Sequence, residues 1–255
     1  MATQDAPRLT GQAALVTGAS SGLGRATAIA LAQAGADVAL LARSEDDLRQ
    51  VAQEIAETTG RRALSLPLDL ADEEALLAAA DAAATAFGRV DVLVNAAGTD
   101  VPGPVEELAI PDWDRVLAVN LRAPFALAKA VFPHMRRTGR GTIVNVSSVA
   151  GKRGWANASA YCASKFGLTG LTQALAAEGK PHGIRACVLY PGGMATQRGA
   201  WSRDERVVEG REPLPATKAL PAGEVAALIV WIAGAPPELV LNEATVSPLE
   251  ESGWP

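Results

Sequence analysis

Apolar residues along this chain fall into short continuous runs separated by longer stretches in which they recur every three or four positions. A continuous run of four to eight apolar residues marks a strand covered on both faces; recurrence at i, i+3 and i+4 marks a helix with one buried side. On that rule strands are predicted at 13–17, 37–42, 62–68, 90–94, 142–146, 184–189 and 239–246. Helices are predicted at 22–34, closed by Gly35, then from a cap at Ser44, and at 72–87, 111–136, 158–178 and 224–233. Asp47 lies three residues after Ser44, in capping-box position. A polar stretch at about 191–220 has neither pattern and is expected to form a substrate-binding loop or lid. Strand–helix alternation implies right-handed crossovers, so the fold class is α/β: a doubly wound, seven-stranded parallel sheet with helices on both faces. No linker interrupts the pattern, and residues 1–255 read as a single domain.

Composition narrows the function. The formal net charge of −5 argues against nucleic acid as a partner, because phosphate binding needs a basic surface. Residues 1–12 are polar and lack the apolar segment of a secretory signal. The apolar run at 225–235 falls short of the roughly 20 residues that span a bilayer, so no membrane association is expected and the reading is cytoplasmic, with free thiols. His134, Cys162, His182 and Cys187 are scattered, without the close spacing of a zinc site, so no metal is expected. With two His, two Cys and two Tyr, the possible acids, bases and nucleophiles form a short list.

Between the first strand and the first helix stands Thr17-Gly18-Ala19-Ser20-Ser21-Gly22-Leu23-Gly24. Glycines there let the backbone turn tightly, and the helix N-terminus behind them offers N–H groups to a pyrophosphate. The Gly-x-x-x-Gly-x-Gly spacing, with its leading Thr, resembles the short-chain dehydrogenase/reductase family. Further matches run along most of the chain. Asp69, followed by Leu70, resembles the family's Asp beside the adenine ring. Asn95-Ala96-Ala97-Gly98 resembles its Asn-Asn-Ala-Gly motif, with Ala in place of the second Asn. Pro191-Gly192 and Thr196 resemble the segment that cradles the nicotinamide end. The resemblance implies a Rossmann-type domain that binds a nicotinamide dinucleotide. At the end of the second strand an acidic residue favours NAD and a cation favours NADP. Ala42 takes the acidic position and Arg43 follows, which points to NADP(H) with NAD(H) still possible.

Tyr161-Cys162-Ala163-Ser164-Lys165 carries the chemistry. Residues four apart share a helix face, so Lys165 lies one turn from Tyr161. A nearby ammonium favours the phenolate of a group that ordinarily titrates near 10. Tyr-x-x-x-Lys alone is a common pairing on surface helices; its partners single this one out. In the family a Ser precedes the Tyr by thirteen residues, a spacing that selects Ser148 over Ser147, and its hydroxyl steadies the substrate oxygen. Asn120 is the fourth member implied. Pro124, four residues later, has no N–H to give the carbonyl of residue 120, so a helix through this point should kink and that carbonyl can accept from a water; the family resemblance implies that this water links Lys165 to solvent as a proton relay.

The expected activity is hydride transfer between nicotinamide and a small-molecule carbonyl or secondary alcohol, with Tyr161 as general acid and base. Trp155, Asn157, Met194 and Trp201 are candidate pocket residues, and their bulk leans towards a hydrophobic ketone or aldehyde. Arg198, Arg203, Arg206 and Arg211 could meet an anionic substrate. One alternative is a 3-oxoacyl-[acyl-carrier-protein] reductase, whose acidic partner would need a basic patch such as Arg136, Arg137 and Arg140. Another is a dinucleotide-sensing or scaffold protein without turnover. By analogy with the family, the helices at 111–136 and 158–178 are expected to join copies into a homo-oligomer, a dimer or tetramer.

Overall fold

The computed structural model describes residues 9–194 and 219–249. Within them β1 (Ala13–Thr17), β2 (Asp37–Ala42), β3 (Ala63–Pro67), β4 (Val92–Asn95), β5 (Gly141–Val146), β6 (Ile184–Pro191) and β7 (Glu243–Val246) pair in parallel, in the order β3-β2-β1-β4-β5-β6-β7. The helices are α1 (Gly22–Gln33), α2 (Glu45–Thr59), α3 (Glu73–Phe87), α4 (Ile110–Leu117), α5 (Ala123–Thr138), α6 (Ser159–Gly179) and α7 (Ala222–Ala233).

Two cores explain why the strands read as unbroken apolar runs. Ala14 and Val16 of β1, with Val38 and Leu40 of β2, face α1, α2 and α7. Leu15, Ala39, Leu41 and Leu93 face the opposite way, onto α3 and α5. Successive side chains point to opposite faces, and here both faces are covered. Burying each large aliphatic side chain contributes about 2 kcal/mol. Local signals set the helix ends. The Ser44 hydroxyl accepts from the Asp47 N–H at 3.4 Å, and the Asp72 carboxylate accepts from Ala75 N–H at 3.1 Å. Gly60 and Gly88 close α2 and α3 with positive φ.

Two elements differ from the sequence expectation by more than a residue or two at an end. The single helix expected at 111–136 is α4 and α5 joined by a π-helical turn at Ala118–Arg122. Pro124 withholds the donor that residue 120 would have in an α-helix, and Ala123 N–H instead reaches back five residues to the Ala118 carbonyl. The kink therefore takes the form of a widened turn. By length and composition this arm, Ile110–Thr138, could cross a membrane. More than half of its apolar window is buried, and Leu127, Val131 and Met135 pack into the α3-side core. The last strand begins at Glu243 rather than residue 239. The Arg185 guanidinium draws the carbonyls of Ala235, Pro236 and Leu239 into a turn ahead of it.

From β1 the chain first winds outward through β2 to the edge at β3, then returns to β4 on the other side of β1. The loops leaving β1 and β4 therefore diverge, opening a crevice at the carboxyl ends of the strands, where doubly wound sheets bind ligands.

Candidate active site

The turn from Thr17 to Gly24 lies in this crevice. Gly18 has φ +70°, and a Cβ there would lie 3.0 Å from the Cα of Ala97. On Gly24 a Cβ would overlap the Gly18 carbonyl oxygen. Both glycines let helix, turn and β4 loop close on one another. Thr17 Oγ1 accepts from Ala97 N–H at 3.1 Å, tying the turn to the Asn95–Gly98 segment. Ser21 caps α1 without a side-chain hydrogen bond, and the first turn carries no acidic residue. α2 and α3, by contrast, have side-chain caps and acidic first turns. The partial positive charge at the start of α1 is thus left for an anion, which suits the pyrophosphate of a dinucleotide. Ser20 and Ser21 are half-buried beside it and Leu23 is buried beneath.

Arg43 and Asp69 stand beyond the neighbouring ends of β2 and β3, where Leu68 N–H donates to the Ala42 carbonyl at 2.9 Å. Arg43 is exposed. Asp69 accepts from Ala71 N–H at 2.9 Å and pairs with Arg115 Nη1 at 2.9 Å. Its partial burial opposes ionisation, but Arg115, the Ala71 amide and Arg43 hold the carboxyl below its usual range. Leu70 is buried. Asn95 is also buried, and its Nδ2 donates to Asn145 Oδ1 at 2.8 Å; Ala96 packs against the core.

At the other end of the crevice four expected residues converge. Ser147 and Ser148, just past the end of β5, engage different partners. The Ser147 hydroxyl donates to the Lys165 carbonyl at 3.2 Å. Ser148 Oγ accepts from Ala150 N–H at 3.1 Å, which leaves its own proton for the Tyr161 phenol oxygen to which it is hydrogen-bonded. Lys165 Nζ lies 5.6 Å from the Tyr161 ring centre and donates to the Val146 carbonyl at 2.9 Å. Asn120, in the π turn, is fully buried. Its Oδ1 accepts from Thr99 N–H at 2.8 Å, and its Nδ2 donates to the Thr99 carbonyl at 2.8 Å and to Ser164 Oγ at 3.0 Å. The Asn120 side chain is therefore engaged in three hydrogen bonds, a role beyond the one expected of its carbonyl. A Cβ on Gly98 would lie 3.6 Å from Lys165 Nζ, so the clamped loop passes directly over the lysine.

Charge at this end has a member that motif reading missed. Burial pushes the Tyr161 phenol up to about 12; the Ser148 hydrogen bond opposes this and the Asp100 carboxylate adds to it. Burial also lowers the Lys165 ammonium to about 8, against the pull of Asp100. The available signal was a carboxylate two residues past the Asn95–Gly98 motif.

On the substrate side, Trp155 and Tyr161 both pack against the cluster of Ala150, Ala158 and Cys162. Asn157 has φ +61° and its carbonyl accepts from Gly103 N–H at 3.0 Å. Gly192 N–H donates to Val246 at 2.8 Å, which fixes Pro191-Gly192 to β7, and Met194 bridges to Leu220. Thr196, Trp201, Arg198, Arg203, Arg206 and Arg211 lie outside the described residues. Arg136 and Arg137 end α5, and Arg140 immediately precedes β5, at the amino ends of the strands. Ser148 and Tyr161 lie at the carboxyl ends, so this basic trio is not beside the pocket.

Comparison with known proteins agrees with this geometry. The family model described as short chain dehydrogenase matches residues 12–206. D-threitol dehydrogenase of Mycolicibacterium smegmatis is 38% identical over 234 residues, covering 89% of this chain and 87% of the relative. Among solved structures, a metagenomic short-chain oxidoreductase in complex with NADP superposes with a TM-score of 0.82 at 36% identity, covering 96% of this chain and 100% of that one. Carveol dehydrogenase from Mycobacterium avium in complex with NAD superposes with a TM-score of 0.85 at 26% identity, covering 94% and 98%.

Proposed function

The chain belongs to the short-chain dehydrogenase family, and on that premise we propose an NADP(H)-dependent oxidoreductase that interconverts a carbonyl and a secondary alcohol, with Tyr161 as acid and base. The observation that carries this reading is the convergence of Ser148, Tyr161 and Lys165 at the carboxyl end of the sheet, one crevice away from an anion-ready α1 terminus. Gly18, Ser20, Ser21, Gly22, Leu23 and Gly24 would hold the pyrophosphate. Arg43, Asp69 and Leu70 would hold the adenosine end. Asn95, Ala96, Gly98, Tyr161, Lys165, Pro191 and Gly192 would line the nicotinamide end. When bound, the coenzyme supplies the hydride and, in its oxidised form, a positive charge.

The chain's own residues handle the proton. In the reducing direction Tyr161, held neutral by burial, gives its phenolic proton to the substrate oxygen. Ser148 donates to the same oxygen and steadies the charge that gathers there. Lys165 has an ammonium poised to titrate near 8, close to working pH, and can pass protons towards Tyr161. Asn120 holds Gly98 and Thr99 against the lysine, and its main-chain carbonyl, denied an α-helical donor by Pro124, would accept from a water linking Lys165 to solvent. The Asp100 carboxylate beside Tyr161 and Lys165 disfavours an anionic group next to the reacting carbon. An uncharged secondary alcohol or its ketone suits this reading, in keeping with the polyol named for one relative. Phe125 and Phe166 stand half exposed on α5 and α6, which supports pairing of these helices between copies.

The test is turnover. NADPH and NADH consumption is followed with a panel of aldehydes, ketones, sugars and carrier-bound 3-oxoacyl thioesters. The reading expects reduction of uncharged ketones, faster with NADPH. Tight NADPH binding with no turnover across the panel would leave a dinucleotide sensor as the better account.

A further inference from the structure

Arg115 belongs to no motif, yet it reaches the coenzyme edge of the crevice. It lies in the last turn of α4, and its Nη1 lies 2.9 Å from Asp69 Oδ1. Seven residues on, Arg122 Nη2 donates to the Ala71 carbonyl at 2.9 Å. Two cations from one arm thus grip the segment 69–71. The pair with Asp69 is a poor stability device, because the two side chains are 36% and 44% exposed, and exposed pairs contribute little to folding. Its consequence is local charge. Arg43 and Asp69 follow adjacent parallel strands whose final rung is the 2.9 Å bond from Leu68 N–H to the Ala42 carbonyl. An unpaired carboxylate here would draw Arg43 to itself and repel a phosphate.

We propose that Arg115 is a specificity-determining residue for the coenzyme: by occupying Asp69 it leaves the Arg43 guanidinium for the ribose 2′-phosphate. The proposal rests on the NADP(H) reading above. With Arg115 present, two guanidiniums face one carboxylate and the site keeps one positive charge; without it the charges cancel. NADH, which lacks the 2′-phosphate, is nearly indifferent to this balance.

Dissociation constants for NADPH and NADH are measured by fluorescence titration on the full-length wild type and on the Arg43→Ala, Arg115→Gln and Arg115→Gln/Asp69→Asn variants. Arg43→Ala should remove most of the preference for NADPH. Arg115→Gln should reduce the preference about threefold to fivefold, with NADH affinity nearly unchanged. The double variant should restore it, because no carboxylate remains to capture Arg43. Equal weakening of both coenzymes by Arg115→Gln would show a merely structural role and overturn the proposal. Failure of the double variant to recover would also overturn it, by showing that Arg115 meets the phosphate itself. If Arg43→Ala affects both coenzymes alike, the NADP(H) reading fails and the proposal falls with it; selective loss there without an Arg115 effect defeats the proposal alone.

Discussion

Asn120→Ala separates two ways in which this residue can serve the site. The substitution keeps the main-chain carbonyl in the π turn and removes the side chain that bonds Thr99 N–H, the Thr99 carbonyl and Ser164 Oγ. All three bonds form around a fully buried residue. At about 1 kcal/mol each, their loss costs about 3 kcal/mol. For a chain of this size each kcal/mol lowers the melting temperature by about 2–4 °C, so a fall of about 6–12 °C is expected in calorimetry. Thr99 sits between Gly98, which passes over Lys165, and Asp100, which acts on both Tyr161 and Lys165. Release of this loop should lower kcat about tenfold or more, while coenzyme affinity changes less. If the carbonyl alone mattered, Asn120→Ala would melt within about 2 °C of the wild type and keep its kcat, and the side-chain clamp would be refuted.

Asp100→Asn should shift the pH profile of alcohol oxidation. The carboxylate raises the pKa of both Tyr161 and Lys165. Its removal lowers them, so the acidic limb of kcat/KM should move to lower pH; a limb that stays put or moves up contradicts the assigned charge coupling. Phe125→Asp together with Phe166→Asp should lower the particle mass in light scattering, because a charge on each half-exposed ring cannot be buried between copies; an unchanged mass places the interface elsewhere. Gly24→Ala should give little folded protein, because its Cβ would overlap the Gly18 carbonyl; a stable variant with native coenzyme affinity would show that the turn can open there.

Sequence reading reached furthest where local rules decide the structure. The strands of the two central cores are short apolar runs with no competing helical pattern, and β1, β2 and the start of α1 stand where the pattern placed them. Ser148 leads into a short helical turn that brings the chain back to α6, which places Ser148 and Tyr161 within hydrogen-bond reach. Long-range placement was less legible. Pro124 announced a break near Asn120, but whether the helix would bend or widen depended on packing against α6 and the Thr99 loop. Arg136, Arg137 and Arg140 read as a docking patch only while the direction of α5 relative to the crevice was unknown. Arg115 and Asp100 carry no motif, and each gains its meaning from a loop distant in sequence.

The central claim is that Tyr161 supplies the proton for carbonyl reduction. Tyr161→Phe keeps the ring that packs against the Ala150, Ala158 and Cys162 cluster and removes only the hydroxyl. Single-turnover reduction of a ketone that the wild type accepts, run alongside NADPH titration, measures both effects in one preparation. The account predicts NADPH affinity within about threefold of the wild type and a hydride-transfer rate lower by about two to four orders of magnitude. Full activity in this variant would contradict it.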